Sequence, residues 1–154
     1  MQPQPAADPI LRSALTDVEL AALREHGWVL ARGLLGRVAA AETAADVRAV
    51  LAARNMPDSY LAQSSEYLAG SPIERLVASP RLRAIASQAM GGPAHLYMPF
   101  TAVKGPGQGE FTFHQDGQYT RFDGPGLNCW FALVPCSVAN GCLRLVSGSQ
   151  RAGW

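Results

Sequence analysis

The sequence shows no excess of either charge: its 154 residues carry a formal net charge of +1 at pH 7. Because Lys and Arg are scattered rather than clustered, we expect no nucleic-acid partner. No apolar run approaches the roughly 18 residues that a membrane span needs. The Gln/Pro-rich start, residues 1–7, also lacks the basic and apolar regions of a signal peptide. We therefore expect a soluble, cytoplasmic protein with no membrane partner.

Cysteine is also scarce, with only Cys129, Cys136 and Cys142 in the chain and no CxxC pair among them. This spacing argues against a zinc site. Each of the three has bulky apolar neighbours, which indicates thiols in or near strands. The cysteine pattern is that of a reduced, intracellular protein.

The composition supports a single domain with a real core. Hydrophobic residues make up 48% of the chain and charged residues 16%, which is enough apolar surface to fold. A chain of this length is too short for two ordinary domains. We predict one domain spanning residues 1–154, in which 1–15 are flexible, 16–92 are mainly helical and 93–154 are mainly β. This order is typical of an α+β protein.

Local start and stop signals predict four helices. Thr16 and Glu19 form a capping box, and Gly27 supplies a left-handed stop, so the first helix spans residues 17–26. The other three are a stretch through residues 38–51, a helix opened by Ser71-Pro72, and a helix between Ser79-Pro80 and Gly91-Gly92.

Short apolar and β-branched stretches separated by glycine-rich turns predict strands. An early edge strand follows the first helix, and the rest lie in the second half of the chain. Several short strands of this kind suggest a sandwich or jelly roll. The predicted strands span residues 28–32, 94–98, 111–115, 128–134 and 142–146.

His114 and Asp116 stand two residues apart in the sequence Phe-His-Gln-Asp-Gly. On a strand they share one face, while Gln115 points away and Gly117 lets the chain turn. An imidazole and a carboxylate that converge in this way are two of the three ligands of the facial triad of non-haem iron(II) oxygenases. Alone, the pair is equally compatible with a strand end that binds no metal.

The surrounding motifs extend this pattern over nearly the whole chain. The chain contains a Lys-Gly-Pro-Gly loop at 104–107, the His-Gln-Asp motif, a strand with Trp130, Asn-Gly-Cys-Leu-Arg at 140–144, and His-Gly-Trp-Val-Leu-Ala-Arg-Gly-Leu-Leu at 26–35. Together they resemble the phytanoyl-CoA dioxygenase family of iron(II)/2-oxoglutarate-dependent oxygenases.

The resemblance implies N-terminal helices packed on a double-stranded β-helix, a jelly-roll, cupin-like barrel that is incomplete at its C-terminal end here. It implies Fe(II) as cofactor and 2-oxoglutarate as cosubstrate. It further implies hydroxylation by O2 of an unactivated carbon in a small organic or acyl substrate, with release of succinate and CO2. The protein would contribute orientation and shielding.

By the same resemblance, His114 and Asp116 are the metal ligands, and Trp130, Asn128 and Gln63 contact the cosubstrate. The alternatives are a core tryptophan, an asparagine at a turn and a solvated glutamine. No residue is assigned as a catalytic acid or base.

The sequence departs from the family in two respects, since no histidine follows His114 and the arginine that binds 2-oxoglutarate in the family is also lacking. In the family, a second histidine and an arginine that binds the distal carboxylate of 2-oxoglutarate come from later strands. His26 and His95 do not lie where that ligand is expected. We therefore expect a C-terminally truncated member. The alternatives are an inactive fragment that pairs with another chain, and a cupin-like isomerase or small-ligand-binding jelly roll.

Overall fold

The computed structural model describes residues 7–53, 60–63, 72–97, 99–103, 107, 111–119 and 124–152. These residues form four α-helices, two β-strands and three 3-10 turns. In chain order they are α1 (Asp17–His26), α2 (Arg37–Ala53), β1 (Tyr60–Gln63), α3 (Pro72–Val77), α4 (Pro80–Met90), β2 (Phe100–Val103) and the 3-10 turns Asp116–Gln118, Val138–Asn140 and Ser149–Arg151.

Helix α1 has the predicted boundaries. The Thr16 hydroxyl accepts a hydrogen bond from the Glu19 amide at 3.2 Å, and the Glu19 carboxylate accepts one from the Thr16 amide at 2.8 Å. These two reciprocal bonds satisfy backbone donors that have no partner within the helix. Gly27 ends the helix at φ 80°, in the left-handed region. The capping-box prediction is confirmed.

The other three predicted helices are also present. Ser79 caps α4 by accepting a hydrogen bond from the Leu82 amide at 3.1 Å, and Gly91 ends that helix at φ 71°. Helix α3 starts at Pro72, as the proline predicts; Ser71 lies outside the described residues. Local chemistry at the helix ends therefore sets the helical half of the chain.

The N-terminal segment packs into the main core. Ile10 is fully buried and forms a backbone bridge with Leu35. It belongs to a cluster that joins this segment to α3 and α4. Residues 1–6 lie outside the described residues, and the flexibility that we expect for residues 1–15 stays a prediction. The cluster's buried members are Ile10, Leu15, Leu34, Leu76 and Ile85.

A second, smaller core lies between α2 and α3. Val47 and Leu51 of α2 pack with Ile73 of α3, and Val103 of β2 and Leu133 cover them. Leu133 therefore ties the second half of the chain to the helices by apolar burial. No helix in the described ranges is long and apolar enough to cross a membrane.

The described parts of the five predicted strands do not form strands, so these predictions are wrong. β1 and β2 pair antiparallel, with Tyr60 opposite Val103 and Gln63 opposite Phe100. Within the described residues, the segments 28–32, 94–97, 111–115, 128–134 and 142–146 lie outside any sheet, and no barrel forms. A strand needs a neighbour for its backbone groups, and burial of one face fixes its register. Here Phe113, Trp130 and Leu145 stay about half exposed or more, so that burial is missing.

Candidate metal centre

His114 and Asp116 lie together at the start of a 3-10 turn. The ring atom Nε2 of His114 is 3.5 Å from Oδ1 of Asp116. Gln115 is extended at φ −113° and ψ 136°, and the turn then closes by hydrogen bonds from Gln118 N to Gln115 O and from Tyr119 N to Asp116 O, each 3.0 Å. The predicted convergence of the two side chains is present. It arises from one extended residue followed by a turn, not from a paired strand.

The backbone fixes which nitrogen of His114 is free. Nδ1 lies 2.7 Å from the carbonyl oxygen of Thr112. A carbonyl accepts only, so Nδ1 carries a proton, and in the neutral form of the ring Nε2 carries the lone pair. A hydrogen bond from the second ring nitrogen to a backbone carbonyl is the usual way to orient a metal-binding histidine. The nitrogen that faces Asp116 is therefore ready to bind a metal.

Asn128 orients the carboxylate in a similar way. Its Nδ2 donates to Oδ2 of Asp116 at 2.9 Å. This bond occupies one carboxylate oxygen and leaves Oδ1 directed at the imidazole. Because Nδ2 carries two hydrogens, Asn128 keeps a second donor after binding Asp116.

The segment around Asn128 alternates as a strand would. Phe131 packs on the main core and Leu133 on the smaller one, while Asn128 and Trp130 are exposed. Side chains of alternate residues point to opposite faces. Packing of the odd-numbered side chains on the helices therefore leaves Asn128 and Trp130 for the opposite face.

The structure brings together only some of the predicted site residues. His114, Asp116 and Asn128 are in contact, whereas Trp130 makes no hydrogen bond or ring contact with the described residues. Gln63 ends β1, and its side chain lies outside what the structure describes, as does the loop at 104–106.

Tyr119 is a further neighbour of the pair. Its ring meets the His114 ring edge-on, with centroids 5.4 Å apart. The site is open to water, since the His114 side chain is 32% exposed and that of Asp116 is 62% exposed.

The donor set suits a divalent metal, with two protein ligands. With metal–ligand bonds of about 2.1 Å, neighbouring corners of an octahedron are about 3 Å apart. The 3.5 Å separation of Nε2 and Oδ1 needs only a small side-chain rotation to reach this. Among the described residues there is no group of three His, Cys, Asp or Glu side chains that could hold a metal ion.

Sequence reasoning missed two contacts that hold this site. One is the Thr112 carbonyl, which any residue at that position would supply and for which no sequence signal exists. The other is a hydrogen bond from Gln115 Nε2 to the Ser149 carbonyl at 2.9 Å, across 34 residues of chain. The sequence indicated this contact only through the prediction that Gln115 points away from the pair.

Comparison with known proteins gives a match to a family model. A family model described as phytanoyl-CoA dioxygenase matches residues 11–153, which include His114, Asp116 and Asn128. No curated protein and no solved structure matches the chain significantly. The family match covers almost the whole length of the chain and agrees with the resemblance that its motifs show. The chain therefore belongs to the phytanoyl-CoA dioxygenase family.

Proposed function

We propose that this chain is an Fe(II)/2-oxoglutarate-dependent dioxygenase that hydroxylates an unactivated carbon of a small organic or acyl substrate. Family membership indicates a dioxygenase type of function and implies a cupin-like jelly roll. When bound, iron and 2-oxoglutarate supply the oxidising chemistry, with O2 consumed and succinate and CO2 released.

The contact between His114 and Asp116 carries the proposal. Nε2 and Oδ1 face each other at 3.5 Å, and the second polar atom of each side chain is already held, Nδ1 by Thr112 and Oδ2 by Asn128. An accidental surface pair has no reason to be held at both outer atoms. This arrangement is what a metal-binding imidazole and carboxylate require.

Asn128 and Trp130 are the proposed contacts for the cosubstrate. Both are exposed, and Asn128 already touches a metal ligand. The second hydrogen on its Nδ2 suits a carboxylate oxygen of 2-oxoglutarate, and the Trp130 indole offers an apolar wall for its methylene groups. Gln63 remains a third proposed contact, on sequence grounds alone.

A second candidate function is binding without turnover. The described residues supply two protein ligands and no third. Phe113, Trp130 and Leu145 leave apolar side chains exposed in the second half of the chain. A chain of this kind could act through pairing with another chain that completes the barrel.

Calorimetric titration of 2-oxoglutarate distinguishes the two candidates. We expect 2-oxoglutarate to bind the Mn(II)-loaded chain, and to bind neither the metal-free chain nor His114→Ala. Trp130→Leu should weaken cosubstrate binding and leave Mn(II) affinity unchanged. His95→Ala, which removes an exposed imidazole elsewhere, is the matched control. Equal binding with and without metal would refute the dioxygenase assignment, and no binding in either case would favour the second candidate.

A further inference from the structure

The 3-10 turn at Ser149–Arg151 and the two residues before it cap the C-terminal end of α1. The Gly148 amide donates to the His26 carbonyl at 2.8 Å, and Arg151 Nη2 donates to the carbonyls of Glu25 at 2.7 Å and Arg24 at 3.3 Å. The last carbonyls of a helix have no donors within the helix, and their dipole favours a cation. Residues 147–151, which we name the capping turn, therefore satisfy three carbonyls from more than 100 positions away.

Two further contacts hold the capping turn on α1. Trp28 Nε1 donates to Ser147 Oγ at 3.0 Å, and Gln150 Nε2 donates to Glu25 O at 3.4 Å. Gly27 lies directly under Gln150: a Cβ added at Gly27 would be 2.3 Å from Gln150 Oε1. A side chain at that position would therefore displace the end of the Gln150 side chain, in addition to the cost of its left-handed backbone.

Gln115 connects the capping turn to the metal pair. It stands between His114 and Asp116, and its Nε2 donates to the Ser149 carbonyl at 2.9 Å. Gln115 is partly buried, unlike the exposed metal ligands on either side. A continuous set of hydrogen bonds thus runs from the end of α1 through the capping turn to the residue between the two ligands.

We propose that Gln115 is a positioning residue that holds His114 and Asp116 in their metal-binding arrangement by tying their segment to the capping turn on α1. The inference rests on the proposed function, because it concerns the same metal pair. The 111–119 segment belongs to no sheet, so backbone pairing does not fix its place. Side-chain ties of this kind keep ligands in productive geometry.

Two variants test the tie from its two ends. Gln115→Met keeps the length of the side chain and removes its donor, and Arg151→Met loosens the capping turn from α1 without touching the metal segment. Gln118→Met and Arg83→Met are the matched controls. Both controls change exposed side chains that make no hydrogen bond to the described part of the chain.

Two readouts are needed. Mn(II) affinity, measured by electron paramagnetic resonance of the free ion, should fall in Gln115→Met and Arg151→Met, by at most about tenfold, which is the low end of the range for residues that hydrogen-bond a ligand directly. Amide hydrogen exchange of the metal-free chain should accelerate at Gln118 and Tyr119, whose amides donate to the carbonyls of Gln115 and Asp116, in the same two variants. Neither control should change either quantity, and helix content by circular dichroism should be the same in all variants.

The outcomes separate this proposal from the proposed function. Unchanged Mn(II) affinity in Gln115→Met, with binding abolished in His114→Ala, overturns the positioning role of Gln115. If His114→Ala leaves Mn(II) affinity unchanged, the proposed metal site is wrong. In that case faster exchange in both test variants supports the tie between the capping turn and the segment, and unchanged exchange overturns it.

Discussion

The metal pair depends on the partners of its outer atoms more than on the pair itself. A histidine and an aspartate two residues apart are common, and their spacing alone does not decide between a ligand pair and a surface contact. The Thr112 carbonyl and the Asn128 amide leave Nε2 and Oδ1 as the two facing atoms. The sequence predicts the ligands from their spacing, but it does not predict partners that come from backbone or from a distant segment.

Replacing Asn128 tests the orientation of Asp116. Asn128→Leu keeps the approximate shape and removes the donor to Oδ2, so the carboxylate can rotate away from His114. We expect Mn(II) to bind roughly tenfold more weakly, within the 10- to 100-fold range for partners of metal ligands. Gln118→Leu, at an exposed position of the adjacent turn, should bind as the unmodified chain does. Equal affinities for the two variants would mean that the Asn128 contact does not orient the ligand.

Glu19 gives a pH-dependent contribution to stability. Its carboxylate accepts hydrogen bonds from Arg12 Nη1 at 2.7 Å and from the Thr16 amide at 2.8 Å. These bonds, chiefly the one from Arg12, lower the pKa of Glu19 from 4.5 to about 2. Because the pKa is lower in the folded chain, the stabilisation is full above about pH 4.5 and is lost as the pH falls toward 2.

Urea unfolding of Glu19→Gln at a series of pH values checks this. The difference in free energy of unfolding between the unmodified chain and the variant should be largest above pH 4.5 and should shrink as the pH falls toward 2. A difference that stays constant over that interval would show that the Arg12–Glu19 contact does not form in solution.

At the scale of elements, the sequence predicted the helices correctly and the strands wrongly. The boundaries of α1 follow from Thr16, Glu19 and Gly27, which all act within one turn of the helix ends. The segments at 111–115 and 128–134 have strand-like composition, but a sheet also needs a hydrogen-bonded neighbour. Composition cannot specify that neighbour, and the two strands that do pair, β1 and β2, lie about 40 residues apart.

Gly27 and Gly33 form a matched pair for testing the capping turn. Both have positive φ, 80° and 66°, but a Cβ at Gly27 would collide with Gln150, whereas at Gly33 it would meet nothing within 4 Å. Gly33→Ala should lower the free energy of unfolding by about 1 kcal/mol for left-handed backbone alone. Gly27→Ala should cost more, because it also displaces Gln150 from α1.

A double variant isolates that extra cost. In Gly27→Ala with Gln150→Ala, the collision is gone, and the effect of the glycine substitution should return to that of Gly33→Ala. Urea unfolding of Gly27→Ala, Gly33→Ala, Gln150→Ala and the double variant measures each step. If Gly27→Ala costs no more than Gly33→Ala, the capping turn does not press on α1 as the structure shows.

For the whole molecule, the helical core and the metal pair are linked by packing and by hydrogen bonds. Phe131 and Leu133 seat the Asn128 segment on the two apolar clusters, and the capping turn joins α1 to Gln115. The predicted barrel is not formed by the described residues. The barrel was predicted from the family resemblance. A resemblance indicates an architecture, but it does not show which backbone groups of this chain form hydrogen bonds with each other.

The ligand set predicts low turnover for the isolated chain. The described residues provide His114 and Asp116 and no third ligand, so iron would be held weakly. We expect the isolated chain to convert 2-oxoglutarate to succinate no faster than buffer with the same iron, measured by mass spectrometry, and the proposed dioxygenase activity to require a third metal ligand in addition to His114 and Asp116. Robust turnover that His114→Ala abolishes would contradict this. It would place the third ligand outside the described residues or on a second copy.

His114 Nε2 and Asp116 Oδ1 are proposed to bind a divalent metal together. Histidine nitrogen NMR tests this binding most directly. The chain has only three histidines, His26, His95 and His114, so labelled imidazoles can be assigned with single alanine variants. Before metal is added, His114 should show a protonated Nδ1 and a free Nε2. Zn(II), a diamagnetic substitute for Fe(II), should shift the Nε2 signal of His114 alone, and Asp116→Ala should greatly reduce that shift. A Zn(II) shift at His26 or His95 instead, or one at His114 that survives Asp116→Ala unchanged, would contradict the account.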